Sequence, residues 1–509
     1  MQPINKILVN TLLLYLKIII CMLISLYTVP IVLHALGEND YGLYTVIAGL
    51  IAMLSFLNAS MSISTQRYLS VTMGENNPRK LLEVYNNSIL LHVIIALGIV
   101  LLIEILMPWV VDKVLTIDSS KIDAATTLFH LLVVNIFFTI VTVPFDAVLN
   151  AYEDMLAFSV ISILEAILKF LAALSITFVT TDRLSFYGIG LCIATILVFV
   201  IKYAYTRFKY RSLYLSLSAC HNKKLLKEMF GFAGWNTLTS FAIIGRNQGI
   251  AIVLNHFWGA VINAAYGIGN QVNGVLNYFS STIQKSVNPQ LMMSEGLQER
   301  DRLFSMSFGL TKFSCLCLSA IALPLLFEMP TILTLWLHEY PRYTIEFTRL
   351  IILLSLIYQA SSGIMSAIQS SGRIKWYTIT ISILLTLPIP LAYFGVIVGI
   401  SPTTVMWIVC ISEFIAFFVR LLFARHLLDF PIKDYCKQVI LPIILQSLGI
   451  GVLLYGITVL MPPSVIRLIT VLAADVVLFL TSTRLFILTK EENQYIDGLL
   501  KKLYNTLHR

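Results

Sequence analysis

The chain has 509 residues, of which 58% are hydrophobic and 12% charged, whereas soluble domains are about half apolar and about a quarter charged. That balance excludes a soluble fold, and apolar stretches of about 20 residues, the length of a bilayer-spanning helix, recur along the chain. The net charge of +8 is explained by basic residues gathered at span ends, so it implies no nucleic-acid partner.

In chain order, spans are predicted near 10–36, 41–63, 86–111, 124–149, 155–180 and 185–206, then 230–255, 260–283, 303–328, 346–370, 375–397 and 402–424, and finally 438–460 and 464–488. The first follows a single Lys6 and has no small-residue cleavage site after it, so it reads as retained. With both termini in the cytoplasm, most of the 35 lysines and arginines lie on the inner side, as the positive-inside rule requires. The expected organisation is an all-α membrane protein of about 14 transmembrane helices. A six-helix bundle occupies 1–206, a cytoplasmic linker 207–229, a second six-helix bundle 230–426, a helix pair 437–488 and an amphipathic cytoplasmic tail 489–509. The halves echo each other: Gly37 precedes Tyr44 by seven residues, and Gly259 precedes Tyr266 by seven. The seven cysteines sit in spans or cytoplasmic loops, so no disulfide framework is expected, and no metal site is read from them.

Charge inside the spans carries the functional signal, because intramembrane ions are costly and mark function by default. Arg246, with Asn247 and Gln248 beside it, lies deep in the seventh span and reads as unpaired. Lys17 and Lys312 sit a few turns inside their spans, where a long apolar stem also permits snorkelling to the surface. Asn270, Asn273, Asn277, Ser281 and Gln284 step along the eighth span at intervals of three or four, and Ser355, Gln359, Ser362, Ser366 and Gln369 do the same in the tenth. Such stripes serve helix packing or line a hydrated cavity that suits sugars. Among the acids, Asp146, Glu165 and Glu413 are candidates for H+ or Na+ coupling. Glu165 and Lys169 have the spacing of an intrahelical ion pair, while Glu104 and Asp475 are placed to reach the interface.

The stretch "LGENDYGLYTVIAGLIAMLSFLNASMSISTQRYLSVTMGEN", residues 36–76, resembles the opening of bacterial polysaccharide flippases. Its glycine-acid-Tyr-Gly turn, apolar span, mid-span Phe and Asn, and closing Arg-Tyr-Leu-Ser and Gly-Glu carry the likeness. These are the Wzx-type O-antigen and capsule transporters of the superfamily that also holds the MATE multidrug extruders and the lipid II flippase. The resemblance implies a MATE-like pair of bundles in the bacterial cytoplasmic membrane that moves an undecaprenyl-diphosphate-linked oligosaccharide outward by alternating access, with no enzymatic step and no cofactor. It also implies contact with membrane lipids and with other polysaccharide-assembly proteins. Arg246 would meet the diphosphate or an acidic sugar, since a guanidinium makes planar bidentate contacts to phosphate oxygens. Two other classes compete: a cation exporter of the same superfamily, which calls for acids and aromatics in place of a central arginine, and a membrane glycan polymerase, which calls for longer outer loops than 112–123 and 329–345.

Overall fold

The computed structural model describes residues 3–52, 55–109, 122–180, 182–216, 222–489 and 492–493. They form seventeen α-helices: α1 (Pro3–Ala52), α2 (Ser55–Gly74), α3 (Pro78–Trp109), α4 (Ile122–Ala151), α5 (Met155–Ser175), α6 (Arg183–Lys209), α7 (Lys223–Trp258), α8 (Ala260–Gly296), α9 (Arg300–Leu337), α10 (Thr344–Gln359), α11 (Ser362–Ser371), α12 (Lys375–Thr386), α13 (Pro388–Ile397), α14 (Pro402–Leu428), α15 (Ile432–Tyr435), α16 (Leu441–Leu460) and α17 (Val465–Ser482). Helices are what a bilayer demands, since hydrocarbon offers no partner to an unpaired backbone group. Most of the tail predicted over 489–509 lies outside the described residues, as does the outer connection over 112–121.

Among the described residues, 11 helices are long and apolar enough to cross a membrane, and the bent pair α10–α11 makes a twelfth. The two other predicted spans, 41–63 and 260–283, also fall on helix. Their polar residues, Asn58, Ser60, Ser62 and Asn263, Asn270, Asn273, Asn277, dilute the hydropathy by which a span is recognised. Both positions of the internal echo are confirmed as equivalent breaks: Gly37 has φ +79° and Gly259 φ +82°, a backbone conformation that favours glycine. Gly37 divides α1 in two, and Gly259 separates α7 from α8.

Packing divides the chain into two compact units. The first comprises Met1–Phe241, Lys285–Leu303 and Gln369–Ile379. Within it α4 packs on α2, α3 and α6, and α1 packs on α5. Leucine and isoleucine side chains such as Leu101 and Ile105 point outward, whereas Ser60, Ser64, Thr65 and Ser70 are buried, the distribution expected when the solvent is lipid and small polar residues mediate helix contact. The end of α8 crosses the end of α2 at two glycines: a Cβ on Gly74 would run into the Met293 carbonyl, and one on Gly296 into the Val71 carbonyl. Arg67, buried, lies 4.9 Å from both the Tyr68 and Phe232 rings, and its Nε donates to the Ser370 carbonyl at 3.1 Å.

At the turn between α4 and α5, the Asp154 carboxylate accepts from Lys209 Nζ at 2.6 Å, Tyr210 Oη at 2.8 Å and Tyr205 Oη at 2.9 Å. Partial burial pushes this carboxyl up, but the three donors outweigh it and hold Asp154 below its ordinary value. A depressed carboxyl stabilises above its unfolded pKa, and the contribution is lost as pH falls through the lower folded value. Thermal unfolding in detergent should therefore lose stability between neutral pH and the acid end, and Asp154→Asn should flatten that part of the profile; an unchanged profile would show that the cluster contributes nothing.

The second unit comprises Ala242–Gln284, Phe304–Ile368 and Thr380–Arg509. In it α10 and α13 pack on α14, and α16 packs on α17. The helix pair α10–α11 bends by 44°, and the polar groups freed there find side-chain partners. The Ala360 carbonyl accepts from Tyr435 Oη at 2.5 Å, the Gly363 N–H donates to Thr311 Oγ1 at 2.9 Å, and Ser361 Oγ accepts from Arg420 Nη1 at 3.2 Å. A kink whose freed backbone groups at Ala360 and Gly363 are met by side chains is a built feature. The final pair is bolted to α9 by Arg467, whose Nε lies 2.7 Å from Glu328 Oε1.

Candidate functional site

Three charges meet in the second unit. Arg246 on α7 donates from Nη1 to Glu413 Oε2 on α14 at 2.8 Å. Arg420 Nη1 lies 2.8 Å from the other oxygen, Glu413 Oε1. Glu413 is 0%, Arg420 1% and Arg246 6% exposed, so all three are withdrawn from solvent. This corrects the reading of Arg246 as unpaired: its partner is an acid 167 residues away. The correction changes the count without removing the charge, because two guanidiniums on one carboxylate leave a net positive centre. Arg246 Nε has no acceptor among the described residues, and the Arg420 guanidinium lies 5.5 Å from the Tyr358 ring.

Beside this centre the two polar stripes meet. Ser355 Oγ on α10 donates to Asn273 Oδ1 on α8 at 2.5 Å, and Asn277 Nδ2 donates to the same oxygen at 3.0 Å. Asn270 Nδ2 donates to the Tyr266 carbonyl at 3.1 Å. The Asn247 carbonyl accepts from Tyr266 Oη at 3.4 Å. Gln359, one turn beyond Ser355 and next to Tyr358, is buried, and its amide nitrogen has no hydrogen-bond partner among the described residues. The broken helix thus carries amides and hydroxyls on the element that also receives Arg420, a combination that binds polar, anionic groups.

The other predicted lysines and acids have partners of their own. Lys312 is paired with Glu492 Oε2 at 2.6 Å, so it ties the start of the tail to α9. Lys17 belongs to the first unit, where its Nζ lies 4.7 Å from the Phe158 ring and Lys285 Nζ lies 3.9 Å from the same ring. Among the described residues neither lysine has a carboxylate within ion-pair distance. Each proposed coupling acid already has a cation: Asp146 lies 2.8 Å from Lys202 Nζ, Glu165 2.6 Å from Lys169 Nζ, and Glu413 has its two arginines. Glu104 lies 2.9 Å from His130 Nδ1, and Asp475 is 1% exposed, on the face of α17 that carries Arg467, Val471 and Phe479 inward. Arg420, near the end of the predicted span 402–424, is not among the candidate residues read from the sequence. Its spacing of seven from Glu413, two helical turns on one face, was the available signal.

Two units of packed membrane helices, with a broken helix and buried charge, make up a fold that is similar to that of solved MATE proteins. The chain superposes on a MATE protein in the bent conformation with TM-score 0.74 at 13% identity, covering 86% of this chain and 98% of that one. A multidrug resistance MATE transporter of the MOP superfamily, in an outward-facing conformation, matches with TM-score 0.71 at 13% identity over 84% and 96% of the two chains. A MOP superfamily transporter from Pyrococcus furiosus, described as having a binding pocket of reverse polarity, matches with TM-score 0.70 at 13% identity over 84% and 96%. A search of curated protein sequences finds no match. The family described as "Polysaccharide biosynthesis protein" matches residues 7–295, more than half of the chain, and the protein belongs to it.

Proposed function

We propose that this protein is a flippase that moves an undecaprenyl-diphosphate-linked oligosaccharide across the bacterial cytoplasmic membrane for O-antigen or capsule assembly. The observation that carries the reading is the net positive Arg246–Glu413–Arg420 centre beside a broken helix lined by amides and hydroxyls. A diphosphate needs cations and a glycan needs hydrogen-bonding partners; a cationic drug needs the opposite charge. Membership of a polysaccharide biosynthesis family points the same way. On this reading the bundles over 1–206 and 230–426, joined by the linker 207–229, alternate access to the two faces, with fourteen spans and both termini cytoplasmic. The pair over 437–488 and the tail 489–509 flank them. Arg246, Asn247, Lys17, Lys312, Asn270, Asn273, Asn277 and Gln359 contribute to the substrate path. Coupling to H+ or Na+ through Asp146, Glu165 or Glu413 requires a lysine or arginine to release its carboxylate during the cycle. Membrane lipids hold the carrier tail, and other polysaccharide-assembly proteins receive the product.

Deleting the gene should make lipid-linked repeat units accumulate in the inner leaflet and strip the surface of polysaccharide, as read by lipid extraction and by glycan gels. Normal surface glycan together with heightened sensitivity to cationic dyes would replace this reading with that of a drug exporter.

A further inference from the structure

The first unit contains a cavity of about 470 Å3 that the Arg246 centre does not use. Its volume lies in the range that encloses a small organic molecule. The break at Gly37 turns the chain so that Tyr41 and Tyr44, both in the stretch that resembles flippases, line its wall. Tyr44 meets Tyr187 from α6 edge-on at 5.1 Å between centroids, and Tyr41 lies 6.3 Å from Tyr44. The rest of the lining is mainly aliphatic, with Asn58, Asn135 and Lys169 among its polar groups. Asn58 Oδ1 is buried and has no hydrogen-bond partner among the described residues. Buried polar atoms are nearly always paired, so an orphan on a residue of the cavity wall points to a donor that arrives with a ligand.

The chemistry narrows what that ligand is. Lys169 is neutralised by Glu165 at 2.6 Å, so the wall has no spare carboxylate for an organic cation, and the same pair leaves no net charge for an anion. An acyl chain would leave Asn58 Oδ1 without a donor, whereas Asn135 already has partners in Leu191 and Thr139. A neutral molecule with one apolar face and a rim of hydroxyls meets every demand: its C–H face lies on a tyrosine ring, one hydroxyl donates to Asn58 Oδ1, and others bond to Asn135 and to the Lys169–Glu165 pair. That is a pyranose ring. We propose that this cavity is a saccharide subsite in the first unit that holds a sugar residue of the cargo; the inference rests on the flippase reading and adds a second contact point to it.

The test uses the purified full-length protein in a detergent without a sugar headgroup, and the oligosaccharide repeat released by mild acid from the lipid carrier that the deletion strain accumulates. Saturation-transfer NMR with irradiation of aromatic protons should give transfer to sugar ring protons in the unaltered protein. Ala48→Trp, which fills the cavity from its own wall without altering a tyrosine or an amide, should reduce transfer at least fivefold and repeat-unit export at least tenfold. Asn58→Ala, which breaks no hydrogen bond of the folded protein, should reduce transfer about threefold and decides the matter if Ala48→Trp does not fold. Absent transfer in the unaltered protein, or equal transfer and export with Ala48→Trp or Asn58→Ala, overturns the subsite while the flippase reading stands. Failure of the deletion strain to accumulate lipid-linked repeats overturns the flippase reading itself.

Discussion

Glu413→Ala should cost this protein most of its stability, whereas Arg246→Ala should leave it folded. Without the carboxylate, two guanidiniums that are 6% and 1% exposed face each other with no counter-charge. Removing one partner from a buried ion pair costs roughly 3–5 kcal/mol, a large part of the 5–15 kcal/mol that typically holds a protein together. Arg246→Ala takes the centre in the other direction, to a one-to-one Glu413–Arg420 pair at 2.8 Å, so the variant should purify as a single species. Its defect should appear in transport: complementation of a deletion strain by Arg246→Ala should fail, and Arg246→Lys, which keeps the charge and loses the bidentate geometry, should restore part of it. The decisive measurements are melting temperature in detergent and surface glycan in complemented cells. An unchanged melting temperature for Glu413→Ala would mean that the three charges are not buried together, and normal transport by Arg246→Ala would reduce Arg246 to a packing role.

Gly363→Val and Gly296→Ala should be the most damaging substitutions among the glycines. A Cβ at Gly363 would run into the Ser307 carbonyl of α9, and one at Gly296 into the Val71 carbonyl of α2. Both obstacles are backbone, which no rotamer change can move. Overpacking typically costs about 1–3 kcal/mol, and a helix-to-helix clash belongs at or beyond the upper end. Gly363 carries a second penalty, because displacing it breaks the hydrogen bond from its N–H to Thr311 Oγ1 that completes the bend between α10 and α11. Gly267→Ala and Gly274→Ala supply the contrast: a Cβ at either meets nothing within 4 Å, so each should be neutral or slightly stabilising through helix propensity. Thermal unfolding of the four variants, with the two pairs behaving alike, would show that the crossings at Gly363 and Gly296 are not tight.

The amino-acid sequence by itself determined which segments are helix, because the signal for a span is local. Apolar runs of the right length stand out wherever the interior is lipid, and positive-φ breaks are written as glycine at Gly37 and Gly259. It also marked Arg246 and the stripes Asn270–Asn273–Asn277 and Ser355–Gln359, since polarity inside a span is conspicuous and spacing reports a shared face. The Glu165–Lys169 pair was legible for the same reason, being four residues apart on one helix. Only the tertiary structure decided which charges meet. Arg246 finds Glu413 across 167 residues, Arg467 finds Glu328 across 139, and Lys312 finds Glu492 across 180. A lone basic residue in a span looks the same whether its counter-charge comes from a ligand or from another helix, and helix periodicity carries no term for contacts between distant segments. The cavity walled by Tyr41, Tyr44 and Tyr187 is of the same kind: Tyr41 and Tyr44 stand out in the sequence through the turn and the internal echo, but that they share a wall with Tyr187 follows only once α1 and α6 are packed side by side.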